Sequence, residues 1–92
     1  MPNRFEGPLS FIIRYRRILL GKTQQQIADT LGVTADFVAL LESGRRRLDL
    51  DKVPLLAGAL RNNRRALCQQ ALLERAPLLY HELFEVPKSQ GA

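Results

Sequence analysis

One cysteine, one histidine and no tryptophan occur among the 92 residues of the chain. Cys68 alone cannot close an intrachain disulfide, which excludes a disulfide scaffold. Cys68 and His81 together fall short of a zinc site, and no metal or other cofactor is expected. No apolar run nears the roughly 20 residues that a bilayer span needs, so no membrane partner is expected. The N-terminus has no signal-peptide core, because Arg14 interrupts the run Phe11–Tyr15. The expected compartment is the cytoplasm. There is no glycine-rich phosphate loop, no neighbouring Cys/His pair and no serine with a base at hand, so nothing proposes an enzyme.

What remains is 46% hydrophobic and 25% charged, as in a single soluble globular domain. A domain this short has a small core, and oligomerisation is a natural supplement. Fourteen Lys and Arg against nine Asp and Glu leave a net charge of +5. Eleven of the cations are Arg, whose planar fork suits phosphate better than an ammonium does. That balance favours nucleic acid as a partner.

Periodicity points to an all-α chain: a bundle of five to six helices with a helix-turn-helix at its centre. Residues 1–7 read as an arm. Pro8 suits a first helical position, and Leu9, Ile12, Ile13 and Leu20 follow at helical spacing. Arg16 and Arg17 fall on or near that stripe, so one of them is expected to have a carboxylate partner. Phe11, Ile18 and Leu19 lie on other faces and need a cover. Thr23 is an N-cap for Gln24–Leu31, and Gly32 a left-handed terminator. Thr34 opens Ala35–Glu42, which Gly44 stops. Asp49 is expected to cap a helix over Leu50–Leu60, with Leu50, Val53, Leu56, Ala57 and Leu60 inward. Pro54 fits there only near a first turn. Asn62 and Asn63 separate it from Arg64–Arg75. Pro77 punctuates, Leu78–Phe84 is a last short helix, and residues 85–92 read as a frayed tail.

Two short helices joined by Gly32, Val33 and Thr34 must cross steeply and share a core. Ala28 is small where they touch, and Ile27, Leu31, Val33, Val38 and Leu41 supply apolar contacts from both sides. This is the helix-turn-helix pattern, whose second helix stands proud enough to enter a DNA major groove. With Val38 and Leu41 inward, that helix turns Asp36, Ala39, Leu40 and Ser43 outward, with Ala35 and Phe37 on its flanks.

The stretch Ile13–Leu60 resembles the lambda-repressor-like, Cro/XRE-type helix-turn-helix family. The resemblance is carried by Arg17-x-x-x-Gly21-x-Thr23-Gln24, Ile27-Ala28-x-x-Leu31-Gly32-Val33, Val38-x-x-Leu41-Glu42-x-Gly44-Arg45-Arg46 and Leu56-Ala57-x-Ala59-Leu60. It covers about half the chain, and Leu-Glu-x-Gly-Arg is its most specific piece. It implies a DNA-binding domain, dimeric in most members and mostly a repressor. It also implies that Glu42 is the structural partner of Arg17, and that Gln24 sits at a phosphate-contacting position. The loop Arg45-Arg46-Arg47 would then pass close to the DNA backbone. The alternatives are a solvated glutamine run for Gln24 and Gln25 and a solvated loop for the arginines.

The candidate DNA-binding residues are therefore Gln24, Gln25, Thr34, Ala35, Asp36, Phe37, Leu40, Ser43, Arg45, Arg46 and Arg47. The outer face departs from the amides and cations common in the family. Its apolar groups can meet thymine methyls and Asp36 can accept from a cytosine amino group. Alternatively, Phe37 packs at the core rim and the apolar face binds protein. Arg61, Arg64 and Arg65 form a second cluster, read as a solvated helix start.

The division expected is an arm over 1–7, a helix-turn-helix core over 8–60, dimerisation helices over 61–84 and a tail over 85–92. Leu72, Leu78, Leu79, Tyr80, Leu83 and Phe84 are candidates for the dimer surface, Cys68 for a small core residue and His81 for partial exposure. The leading functional expectation is a homodimeric repressor of double-stranded DNA that blocks a promoter sterically. The alternatives are a protein-interaction module on the same fold, such as an antitoxin or antirepressor with a toxin or other regulator as partner, and a sequence-independent DNA coat.

Overall fold

The structure is a computed structural model that describes residues 8–84. The expected arm (1–7) and tail (85–92) lie outside the described residues. Six α-helices follow in order: α1 (Pro8–Leu19), α2 (Gln24–Leu31), α3 (Ala35–Glu42), α4 (Val53–Ala59), α5 (Arg64–Arg75) and α6 (Pro77–Phe84). A 3-10 turn, Leu50–Lys52, precedes α4, and no strand occurs among the described residues.

Local chemistry sets most of the boundaries. After α1 the amide of Gly21 donates to the Ile18 carbonyl and that of Lys22 to the Arg17 carbonyl (both 3.0 Å), which satisfies two end carbonyls. Thr23 and Gln26 form a reciprocal capping box at the head of α2. Gly32 ends α2 at φ 71°, a left-handed conformation that a Cβ would strain. Thr34 Oγ1 accepts the Phe37 amide at 3.1 Å to start α3, and Asn63 Oδ1 accepts the Ala66 amide at 2.8 Å to start α5.

The helix around Pro54 differs from expectation. Asp49 makes no side-chain cap, and the expected Leu50–Leu60 helix divides into the 3-10 turn and α4. Proline lacks an amide, and its ring clashes with the carbonyl four residues back, so an α-helix cannot run from Leu50 through Pro54. Leu50 is consequently 36% exposed, and the inward position is taken by Leu48, at 3%. The last helix begins at Pro77, one residue early, since proline suits a first turn.

α2 packs on α3 and α4, α1 on α3 and α5, and α5 on α4 and α6. Ile13, Ile27, Ala28, Leu31, Val38, Leu41, Val53, Leu56, Ala57, Leu60, Leu67 and Ala71 make one buried core with Leu48. Cys68 is half-buried at its edge. Among the described residues nothing covers α1 as expected: Phe11 and Ile18 are 67% and 57% exposed, because α6 rests on α5 instead.

Helix ends are also tied across the fold. The Leu9 amide at the head of α1 donates to Glu74 Oε2 on α5 at 2.8 Å. Lys52 Nζ donates to the Leu31 carbonyl at the end of α2 (2.9 Å), and Lys22 Nζ to the Ala59 carbonyl at the end of α4 (3.1 Å). Arg16 Nη2 donates to the carbonyls of Leu60 (3.1 Å) and Arg61 (2.9 Å), just beyond α4. Cations at helix C-termini satisfy end carbonyls and oppose the negative end of the dipole.

Candidate nucleic-acid interface

α2 and α3 meet over Ala28, which is fully buried, and the absence of a larger side chain there lets the two helices cross closely. Val38 and Leu41 turn the inner side of α3 into the core. Its outer side carries Asp36 and Ser43, both exposed, and Ala39 and Leu40, both half-buried. Ala35 is half-buried at the flank. Phe37 packs against the core, which removes it from the outer face.

The two ends of this unit differ in chemistry. At the head of α2, the Gln24 and Gln25 amides have no carbonyl of their own helix to bond, which suits an anion. The Gln24 side chain is turned inward, its Nε2 donating to Glu42 Oε1 at 3.1 Å. Gln25 Nε2 donates to Asp29 Oδ1 at 2.7 Å, one helical turn on. After α3, the Leu40 carbonyl accepts from the amides of Arg45 (2.9 Å) and Arg46 (3.2 Å). Those bonds pin the start of the arginine loop to α3, and the side chains of Arg45, Arg46 and Arg47 are exposed.

Arg17 braces the unit from α1. Its Nε and Nη2 both bond the Glu42 carboxylate, the latter at 3.0 Å, and Nη1 donates to the Lys22 carbonyl at 3.0 Å. The two side chains are only 15% and 5% exposed. Among the described residues Arg16 meets no such carboxylate and spends its guanidinium on carbonyls beyond α4. Leu48, Lys22, Lys52 and Glu74 hold the scaffold and were not singled out from sequence. Each acts on a partner more than twenty residues away or from within a loop, which leaves no periodic signal.

The other sequence candidates lie apart from α3. Leu78 (86% exposed), Leu79 and Leu83 project from α6, and the Tyr80 ring meets His81 edge-on and Phe84 at a tilt. Leu72, Cys68, Phe84 and Pro54 line an apolar groove of about 420 Å³ together with Arg64 and Arg65. Arg65 lies over the Phe84 ring, 5.6 Å from its centre. Among the described residues, no group of three or more His, Cys, Asp or Glu could hold a metal ion and no helix is long and apolar enough to cross a membrane.

A family model described as helix-turn-helix matches residues 13–66, more than half of the chain. No curated protein and no solved structure matches. The matched span runs from mid-α1 into α5 and contains the α2–α3 unit, the Arg17–Glu42 brace and the arginine loop. The chain belongs to the lambda-repressor-like, Cro/XRE-type helix-turn-helix family, a family of DNA-binding domains of transcription regulators.

Proposed function

We propose that the chain is a sequence-specific, homodimeric repressor that blocks a promoter by occupying it. The observation that carries this reading is the outer face of α3, uncovered and followed at once by three exposed arginines on a pinned loop. α3 lies in the major groove, with Ala35, Asp36, Leu40 and Ser43 toward the bases. Thr34 and the amides of Gln24 and Gln25 stand near one phosphate strand, and Arg45, Arg46 and Arg47 near the next. Residues 8–60 form the reading unit, and the helices over 61–84 join two copies through Leu72, Leu78, Leu79, Tyr80, Leu83 and Phe84. Two copies set their α3 helices about 34 Å apart on a pseudo-palindrome. The protein acts in the cytoplasm.

The test is Arg45→Ala with Arg46→Ala, read as affinity for a selected duplex at several salt concentrations. Each lost phosphate contact lowers the log–log salt slope by about 0.9, so the double variant should lose up to about 1.8. Unchanged affinity and slope would remove the loop from the interface.

A second reading, an antitoxin-like or antirepressor-like module, draws on the apolar outer side of α3 at Ala39 and Leu40, and on a further exposed apolar stripe along α1. Phe11 and Tyr15 stack at 5.7 Å, and Ile18 and Leu19 continue the stripe at more than half exposure. Leu40→Lys separates the two readings. It abolishes a protein contact through α3, whereas against DNA it adds a cation and raises non-specific affinity.

A further inference from the structure

The eight side chains of α3 are Ala, Asp, Phe, Val, Ala, Leu, Leu and Glu, and none of them carries a hydrogen-bond donor when the acids are ionised. The hydroxyl groups on either side are engaged locally, that of Ser43 as a donor and that of Thr34 as an acceptor that keeps its own hydrogen for the phosphate strand. Thr34 Oγ1 accepts the Phe37 amide, and Ser43 Oγ donates to the Leu40 carbonyl at 3.1 Å. Glu42 is held by Arg17 and Gln24. Within α3 the polar part of the outer face is thus one exposed carboxylate, Asp36, with Ala39 and Leu40 three and four residues further on the same side.

The bases differ in what they offer such a face. Guanine shows only acceptors in the major groove and needs a donor that α3 lacks. Adenine and cytosine each show an amino group that a carboxylate accepts, and thymine shows an acceptor and a C5-methyl group. An apolar side chain rewards the methyl, at about fourfold in affinity for each methyl removed from water.

Resting on the DNA-binding reading above, we propose that α3 reads the C5-methyl groups of pyrimidines, with Asp36 accepting from an exocyclic amino group beside them. Thymine meets the apolar half of this face. 5-Methylcytosine meets both halves, since it alone joins an amino donor to a C5-methyl. The affinity of a given site therefore depends on the methylation of its cytosines.

The experiment starts from duplexes selected from a random pool with unmodified bases. In the winning duplex each half-site thymine is replaced by deoxyuridine, which removes the methyl group and nothing else. In a parallel set each half-site cytosine is replaced by 5-methylcytosine. Affinity is measured at fixed salt for the native chain and for Asp36→Ala, a change at an exposed position. The expected result is a loss of about fourfold per contacted thymine and a similar gain at one cytosine. Asp36→Ala should erase the preference for cytosine at that position while leaving the deoxyuridine loss intact. Equal affinity for the thymine and deoxyuridine duplexes would overturn the inference and leave the DNA-binding reading standing. A pool that enriches no site would overturn the DNA-binding reading itself, and the inference with it.

Discussion

Arg17 is the residue on which the helix-turn-helix geometry leans hardest. Its guanidinium and the Glu42 carboxylate are nearly out of water, and an ion pair removed from water gains little net energy when intact. Breaking it is another matter, because the surviving charge is left buried. Arg17→Ala leaves Glu42 with the Gln24 amide as its remaining side-chain partner among the described residues and should destabilise the fold by about 3–5 kcal/mol. Arg17→Met combined with Glu42→Gln should recover a large part of that loss, as measured by urea unfolding of the single and double variants. If the single and double losses simply add, the two side chains are not coupled. The need for a carboxylate near Arg16 or Arg17 was legible in the sequence, since an arginine on a core stripe demands one. Which carboxylate it would be was not legible locally: Glu42 lies 25 residues away, and the family pattern supplied it. Gln24 shows the opposite limit. Its side chain is spent on the same carboxylate, an orientation that no helical wheel contains.

Among the elements, α2, α3 and α5 begin, and α2 ends, where capping residues put them, because Thr23, Gly32, Thr34 and Asn63 act within four residues of themselves. Those boundaries are readable because their chemistry is local. The approach to α4 shows the limit of local chemistry: Asp49 looks like a cap, but Pro54 decides where the helix starts. The end of α4 carries a feature without a sequence signature. Arg61 occupies the left-handed region at φ 53°, and the Asn62 amide donates to the Ala57 carbonyl at 2.9 Å across it. This is the arrangement that Gly21 provides after α1, but with a side chain present. A non-glycine residue in that region costs roughly 1–2 kcal/mol, part of which glycine would lose again through unfolded-chain entropy. Arg61→Gly should accordingly raise stability by about 0.5–1 kcal/mol, seen as a higher urea midpoint with an unchanged slope. A fall in the midpoint would mean that the Arg61 side chain contributes more than its backbone costs.

At the scale of the whole molecule, apolar surface is distributed unevenly. The core is closed, yet α6 has no buried residue, and three of its leucines are at least half exposed. Apolar surface of this kind marks an interaction site, and under the proposed function its cover is the same helix region of a second copy. Leu78→Glu with Leu83→Glu should give a monomer in sedimentation equilibrium with unchanged helix content. Loss of the linked second half-site should weaken binding to a palindromic duplex by about a hundredfold or more. A variant that stays dimeric would move the interface to the stripe of Phe11, Tyr15, Ile18 and Leu19 on α1. The excess of apolar residues in the last third was plain from the sequence. Their placement was not, because whether α6 would cover α1 depends on the turn at Ala76 and Pro77.

The two lysines among the described residues, Lys22 and Lys52, both spend their ammonium groups on the last carbonyls of helices. The exposed arginines flanking α3 supply the outward charge there. Acetylation cancels positive charge on lysine, whereas methylation of arginine keeps it. An acetyl group on Lys22 or Lys52 would thus remove a helix stop, and the damage would register as lost folding before it registered as weakened attraction to a polyanion. The potential around the reading face is written in a cation that acylating enzymes do not touch. Under the proposed function it is tuned by ionic strength and by the pairing of two copies, while the lysines answer for the scaffold.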